Sequence, residues 1–198
     1  MKTCALVVAS AALALGACGG PRVSAPSADD HVRGPETARV TIIEYGDYQC
    51  PPCTNTNRDL EALLAKYPGD LRLVYRHYPV RSHRNALVAA EAAEAAESLG
   101  RFWEMHAKLF EHQKEWYGAS DPVPLFRRYA GEIGLEPDAF AATLRAHRFE
   151  RRVIAARESA RQFGVHGAPA FFVNGRRLMP PPHTRASLEA HIQREISR

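Results

Sequence analysis

Cys50 and Cys53 lie in the stretch GDYQCPPC, residues 46–53, with only Pro51 and Pro52 between them. Two thiols at this spacing can clasp a metal, staple the chain, or cycle between dithiol and disulfide. A tetrahedral metal site needs two further ligands, and the sequence offers neither a second cysteine pair nor closely spaced histidines, so such a site would have to borrow from a second chain. A staple closing so short a loop removes little chain entropy and would be ineffective. Redox cycling suits the spacing better. In the first turn of a helix, residues three apart lie about 5–6 Å apart at Cα, inside the window of a disulfide. That turn also offers unpaired backbone N–H groups and the positive end of the helix dipole, both of which favour a thiolate. Cys50, at the tip, is then the attacking and attackable sulfur, and Cys53 the shielded thiol that resolves a mixed disulfide. No metal and no organic cofactor is expected.

The neighbouring sequence supplies such a turn. VTIIEY, residues 40–45, is apolar and β-branched, as a strand covered on both faces should be, with Glu44 its one exception. After the cysteines, Leu60, Leu63 and Leu64 recur at helical spacing until Pro68-Gly69, so the pair falls where a strand hands over to a helix. Pro51 and Pro52 are tolerated there because the first helical positions need no N–H, and the helix can begin at either. A second strand is predicted from Leu71 to Tyr78. Residues 82–164 then read as helix throughout. In NALVAAEAAEAAESLG, the acids Glu91, Glu94 and Glu97 mark a solvated face, while Phe102, Met105, His106 and Leu109 form a buried stripe in which His106 is a satisfied histidine at the core edge. The chain returns to β at Ala170–Val173, turns at Asn174-Gly175, and pairs Arg176–Met179 in a hairpin of the type I′ kind before a last helix from Thr184 to Ile196.

The 198 residues suffice for one ordinary domain, and 45% hydrophobic with 24% charged residues is the balance of a globular protein. A net charge of +4, with arginines dispersed among acids, argues against nucleic-acid binding. Lys2 precedes an apolar run, Ala5–Leu15, of the length of an export-signal core and too short to span a bilayer. Its end, Leu15-Gly16-Ala17-Cys18, resembles the lipobox of bacterial lipoproteins, in which the cysteine is lipidated; cleavage by the ordinary signal peptidase at a small-residue site nearby and retention as an uncleaved anchor are the competing readings. Residues 1–17 are therefore expected to be a signal peptide, residues 18–36 a flexible tether rich in Gly, Pro, Ala and Ser, and residues 37–198 the folded domain. With Cys4 removed and Cys18 acylated, Cys50 and Cys53 remain as the only thiols in an oxidation-permissive compartment.

The order β-α-β, helical block, β-β-α, with Cys-x-x-Cys at the first strand-to-helix junction, resembles DsbA-like thiol-disulfide oxidoreductases of the thioredoxin superfamily. The matching pieces are DYQCPPC, the strand ending RHYP, the helix FWEMHAKLF and the segment GVHGAPAFFVNG. The resemblance implies an α/β thioredoxin fold with a helical insertion over about residues 82–164. It implies a cis-proline at Pro169 facing the thiols, and a substrate-binding backbone at Ala168, where relatives more often carry threonine or valine. It also implies an acid beneath the pair, for which Glu44 has the family spacing and Asp47 competes, relaying the proton of Cys53. His83 and His166 could line the same groove, although solvated histidines would look alike in sequence. Expected partners are protein thiols and disulfides, a membrane redox partner that resets the pair, and a membrane reached through the lipid anchor, with the chain a monomer in the bacterial envelope. A reductase or isomerase, a copper-handling protein and a redox-inert binding module are the competing readings. Strongly oxidising relatives place histidine just before the second cysteine; Pro52 has no charge to offer, which points to a moderate oxidant at about −150 to −200 mV.

Overall fold

The computed structural model describes residues 22–179, 181 and 184–198; the expected leader with Cys4 and Cys18 lies outside the described residues. Among the described residues the sheet has five strands in the order β1-β3-β2-β4-β5. The strands are β1 (His31–Arg33), β2 (Val40–Gly46), β3 (Leu71–His77), β4 (Ala170–Val173) and β5 (Arg176–Arg177). β2 and β3 run parallel, joined through α1 (Pro51–Lys66), and every other pairing is antiparallel. Between β3 and β4 stand α2 (Ala86–Glu97), α3 (Phe102–Glu111), α4 (Gln113–Trp116), α5 (Val123–Glu132), α6 (Pro137–Arg145) and α7 (Glu150–Ala160), and α8 (Arg185–Ile196) closes the chain. This is the thioredoxin fold with an inserted helical block.

Side chains alternate across the pleat of β2. Val40 and Ile42 point to one face, where they pack with Leu60 and Leu63 of α1 and Leu188 and Ile192 of α8. Ile43 and Tyr45 point to the other, against Ala160, Val165 and Phe172. Glu44 shares its parity with Ile42 and is carried into the interior beneath α1. At the end of the strand, Gly46 passes so close to Tyr75 that an added Cβ would lie 2.5 Å from its ring. A third cluster fills the insertion, with Phe102, Phe110, Trp116 and Phe126 at its centre and Tyr48, Cys50 and Cys53 at its border with the thioredoxin part. The hairpin turn has Asn174 at φ 47° and Gly175 at φ 77°, the left-handed pair that a type I′ turn demands.

Two expectations need correction. The expected tether does not extend to Thr37: Val23 is buried, β1 pairs with β3 through His31 opposite Tyr75, and Asp30 holds Arg76 through a bidentate ion pair at 2.6 and 2.7 Å. The segment is polar in composition, but the sheet edge supplies the hydrogen bonds that make it a strand. The solvated face of α2 is likewise mostly not solvated. Glu97 is exposed, but Glu91 and Glu94 are buried, because α2 runs through the middle of the insertion and its alanines let neighbours close in on every side. Glu91 takes His147 at 2.9 Å, and Glu94 takes His31 at 3.0 Å and Arg152 at 2.8 Å.

Candidate active site

The loop from Asp47 to Cys50 is fixed before the helix begins. Cys50 N donates to Asp47 O at 3.1 Å, the Asp47 carboxylate accepts from Gln49 N at 2.7 Å, and the insertion grips the rest: Gln113 Nε2 donates to Tyr48 O at 2.7 Å, and Asn85 N donates to Gln49 Oε1 at 2.6 Å. Cys50 then serves as the N-cap of α1 in extended conformation, at φ −80° and ψ 116°, and Pro51 and Pro52 occupy the first two helical positions, both exposed. The helix therefore starts at Pro51.

Both cysteines are free thiols. The two differ in surroundings. Cys53 is buried beneath the tip of α1, and burial pushes its thiol well above the usual range, with Cys50 and Glu44 adding to the rise. Cys50 is drawn down to about 7, first because the Cys53 thiol can donate to it, and further by the Cys53 backbone N–H. Burial and the Asp47 carboxylate act against this, and the charge of His83 acts with it. The structure thus separates a poised sulfur from a protonated one within a single helical turn. The Cys50 Sγ faces the Ala168 carbonyl at 3.6 Å, and the Ala168–Pro169 peptide bond is cis.

Of the two candidate acids, Asp47 is fully engaged. Besides Gln49 N it accepts from Val80 N at 2.9 Å and lies 2.6 Å from His83 Nδ1. Glu44 is completely buried, and among the described residues neither of its carboxylate oxygens has a hydrogen-bond partner. Burial pushes it up to about 8. The Thr56 hydroxyl works against this rise, but its proton is directed to the carbonyls of Pro52 and Cys53 at 3.2 and 3.0 Å. A neutral, unengaged carboxyl beneath Cys53 can give a proton and take it back; Asp47 meets donors from Gln49, Val80 and His83.

His83 belongs to this site through Asp47, whereas His166 is exposed. His106 is buried and satisfied, contacting Tyr48 Oη at 3.0 Å and Asn57 Oδ1 at 2.8 Å. Sequence reasoning missed a further constellation. His31, His77 and Glu94 are all buried and bring ligand-capable atoms within 4.8 Å of one another. His31 and Glu94 are 63 positions apart, so only the fold unites them.

The fold and the paired thiols are those of the thioredoxin superfamily. Residues 27–194 match the family described as Thioredoxin, and the chain belongs to it. Among solved structures it is similar to oxidised BdbD from Bacillus subtilis, with a TM-score of 0.77 at 23% identity over 91% of this chain and 98% of that one. It is also similar to a thioredoxin-like oxidoreductase from Silicibacter pomeroyi, with a TM-score of 0.70 at 25% identity over 87% and 95%. For alpha-DsbA1 of Wolbachia pipientis the TM-score is 0.75 at 21% identity over 87% and 93%. The curated relatives carry a different name. The Na(+)/H(+) antiporter NhaA 3 of Salinispora tropica is 42% identical over 158 residues, which is 79% of this chain but 23% of that protein. NhaA 1 of Salinispora arenicola is 44% identical over 149 residues, 75% of this chain and 22% of that protein. The chain spans about a quarter of the length of these relatives. Among the described residues no helix is long and apolar enough to cross a membrane.

Proposed function

We propose that this chain is a protein thiol-disulfide oxidoreductase that exchanges disulfides with proteins of the bacterial envelope through Cys50 and Cys53. The observation that carries the reading is the contrast within the pair, Cys50 brought down to about 7 at the helix tip and Cys53 held up beneath it, opposite Ala168 and Pro169. In the oxidising direction, a substrate thiolate attacks Cys50 Sγ of the closed disulfide. The Cys50–Cys53 bond breaks, and the departing Cys53 sulfur takes a proton from Glu44. A second substrate thiolate then attacks the substrate sulfur of the mixed disulfide and releases the Cys50 thiolate. The Ala168 backbone, placed beside Cys50, offers polar groups to an extended substrate chain. In the reducing direction the same steps run backwards, with electrons supplied by a membrane redox partner.

The test is capture. Cys53→Ala should accumulate mixed disulfides through Cys50, and Cys50→Ala should accumulate none; mass spectrometry of trapped complexes that finds Cys53 as the linked sulfur in the unaltered protein would overturn the roles. Placement in the envelope rests on the Lys2 leader and the Leu15-Gly16-Ala17-Cys18 sequence, with Cys18 as the acylated residue. Cys18→Ser should abolish incorporation of a fatty-acid analogue and release the protein from membranes, leaving thiol exchange intact. A reductase or isomerase is the second reading, favoured by the value of about 7 at Cys50, which leaves the thiolate only modestly stabilised at neutral pH.

A further inference from the structure

At the β1 edge of the sheet, the N-terminal segment, β3, α2 and α7 surround a cavity of about 470 Å³ whose lining includes Ser27, Asp30, His31, His77, Glu94 and Arg152. Three of these converge on one point. His31 Nε2 lies 3.0 Å and His77 Nε2 lies 3.1 Å from the same oxygen, Glu94 Oε1. The other carboxylate oxygen, Oε2, is held by Arg152 Nε at 2.8 Å. The His31 ring is clamped against Phe102, centroids 3.6 Å apart and planes within 8°. The three ligand-bearing side chains come from three different parts of the chain: the N-terminal strand, the end of β3 and the inserted helix.

A hydrogen-bonded triad would be the simpler account, and for His31 it suffices. For His77 it does not. His77 is fully buried; its Nε2 approaches Glu94 Oε1 at 3.1 Å out of hydrogen-bond alignment, and its Nδ1 has no partner among the described residues. Buried imidazoles are normally partnered, so an orphan aimed at a carboxylate inside a cavity needs a reason. Separations near 3 Å between donor atoms are those of neighbouring ligands around a cation with bonds of about 2.0–2.1 Å, for which polyhedron edges run to about 2.9–3.3 Å.

We propose that His31, His77 and Glu94 form a binding site for a first-row divalent cation of the zinc(II) class, with the remaining coordination positions open to water in the cavity. Two imidazoles and one carboxylate form the mixed nitrogen and oxygen donor set such ions take. Arg152 then acts as the outer partner of the ligating carboxylate, fixing its orientation as such partners do. Binding joins β1, β3 and the insertion at one point, so the cation is a clasp of the fold, separate from the thiol pair.

The test uses untagged, chelator-treated protein with Cys50–Cys53 closed as a disulfide, so that the thiols cannot ligate. Calorimetric titration with Zn²⁺ should show one equivalent bound, and Co²⁺ should give visible d–d bands with no thiolate charge-transfer band. Glu94→Gln and His77→Gln should each weaken binding at least tenfold while retaining the far-ultraviolet circular dichroism of the unaltered protein. A second readout needs no substitution: in ¹⁵N-detected imidazole spectra of the unaltered protein, Zn²⁺ should shift His31 and His77. Absence of saturable binding by the oxidised protein would overturn the site, as would shifts confined to histidines outside it, such as the exposed His166 and the half-buried His191, or undiminished binding by folded Glu94→Gln and His77→Gln.

Discussion

Glu44 and Asp47 stand three residues apart where one strand ends, and the fold gives them opposite surroundings. Which of them lies beneath the thiols was undecided in the sequence, because alternation along β2 says which way a side chain points but not how many donors await it. Three donors meet Asp47 and none meets Glu44. A carboxyl raised from 4.5 to about 8 stays protonated in the folded state while the unfolded chain ionises, so its contribution to stability falls as pH rises through that window, by at most about 1.4 kcal/mol per pH unit. Glu44→Gln should therefore flatten the profile, and denaturant unfolding of the reduced protein should find the variant more stable than the unaltered protein at pH 8 but not at pH 5. His83 acts on the other thiol. Its charge favours the Cys50 thiolate and partly neutralises Asp47, which disfavours it. With His83→Ala both influences push the same way: the Cys50 pKa should rise and the potential should fall, by less than the roughly 60 mV that a full charge-assisted contact of about 3 kcal/mol represents. Thiolate absorbance against pH measures the first and glutathione equilibration the second; an unchanged pKa would show that His83 is a bystander.

At the scale of elements, the strands and helices that build the site were legible because each has a period of its own. β2 is a β-branched run, α1 repeats leucine at helical spacing, and Asn174-Gly175 specifies a hairpin turn by backbone geometry alone. What was not legible depends on neighbours. Three residues, His-Val-Arg, have no period, and β1 exists because β3 presents an open edge to it. Glu94 reads as a wet acid in any binary pattern, and only the arrival of His31, His77 and Arg152 makes it interior. The N-terminal segment is consequently a fastening rather than a tether, and its strongest fastener is the Asp30–Arg76 pair, whose side chains are 9% and 12% exposed. Removing one partner leaves the other charge buried, at a cost of about 3 kcal/mol. Asp30→Ala should lose that much in urea unfolding at neutral pH. Burial opposes ionisation of Asp30, but Arg76 and Ser27 outweigh it and hold the carboxyl below its ordinary 3.8, so the difference between the two proteins should persist above that value and shrink as pH falls below it.

For the whole molecule the consequence is its redox poise, since the potential of the pair measures how much more the folded protein stabilises the dithiol than the disulfide. Pro52 removes the histidine of strongly oxidising relatives, and from sequence that loss alone pointed to a moderate oxidant. The folded site moves the expectation further. A thiol at about 7 is half ionised at pH 7, and compared with a free thiol near 8.5 this is worth only about 0.4 kcal/mol, or roughly 10 mV. A thiolate at about 3.5 accompanies a potential near −120 mV in the strongest oxidant of this superfamily, and one at about 7 accompanies about −270 mV in thioredoxin. Cys50 resembles the second. Equilibration of Cys50–Cys53 against glutathione should therefore give a potential between about −200 and −270 mV, with reduced and oxidised proteins unfolding at similar urea concentrations at pH 7. Raising the pH should widen that gap in favour of the reduced form as Cys50 ionises fully. Pro52→His, which adds a charge at the helix tip, should raise the potential by about 30–60 mV and lower the Cys50 pKa with it. A native potential above about −150 mV would mean that the thiolate draws on stabilisation beyond the helix tip, the Cys53 thiol and His83, and the reducing direction would lose its support.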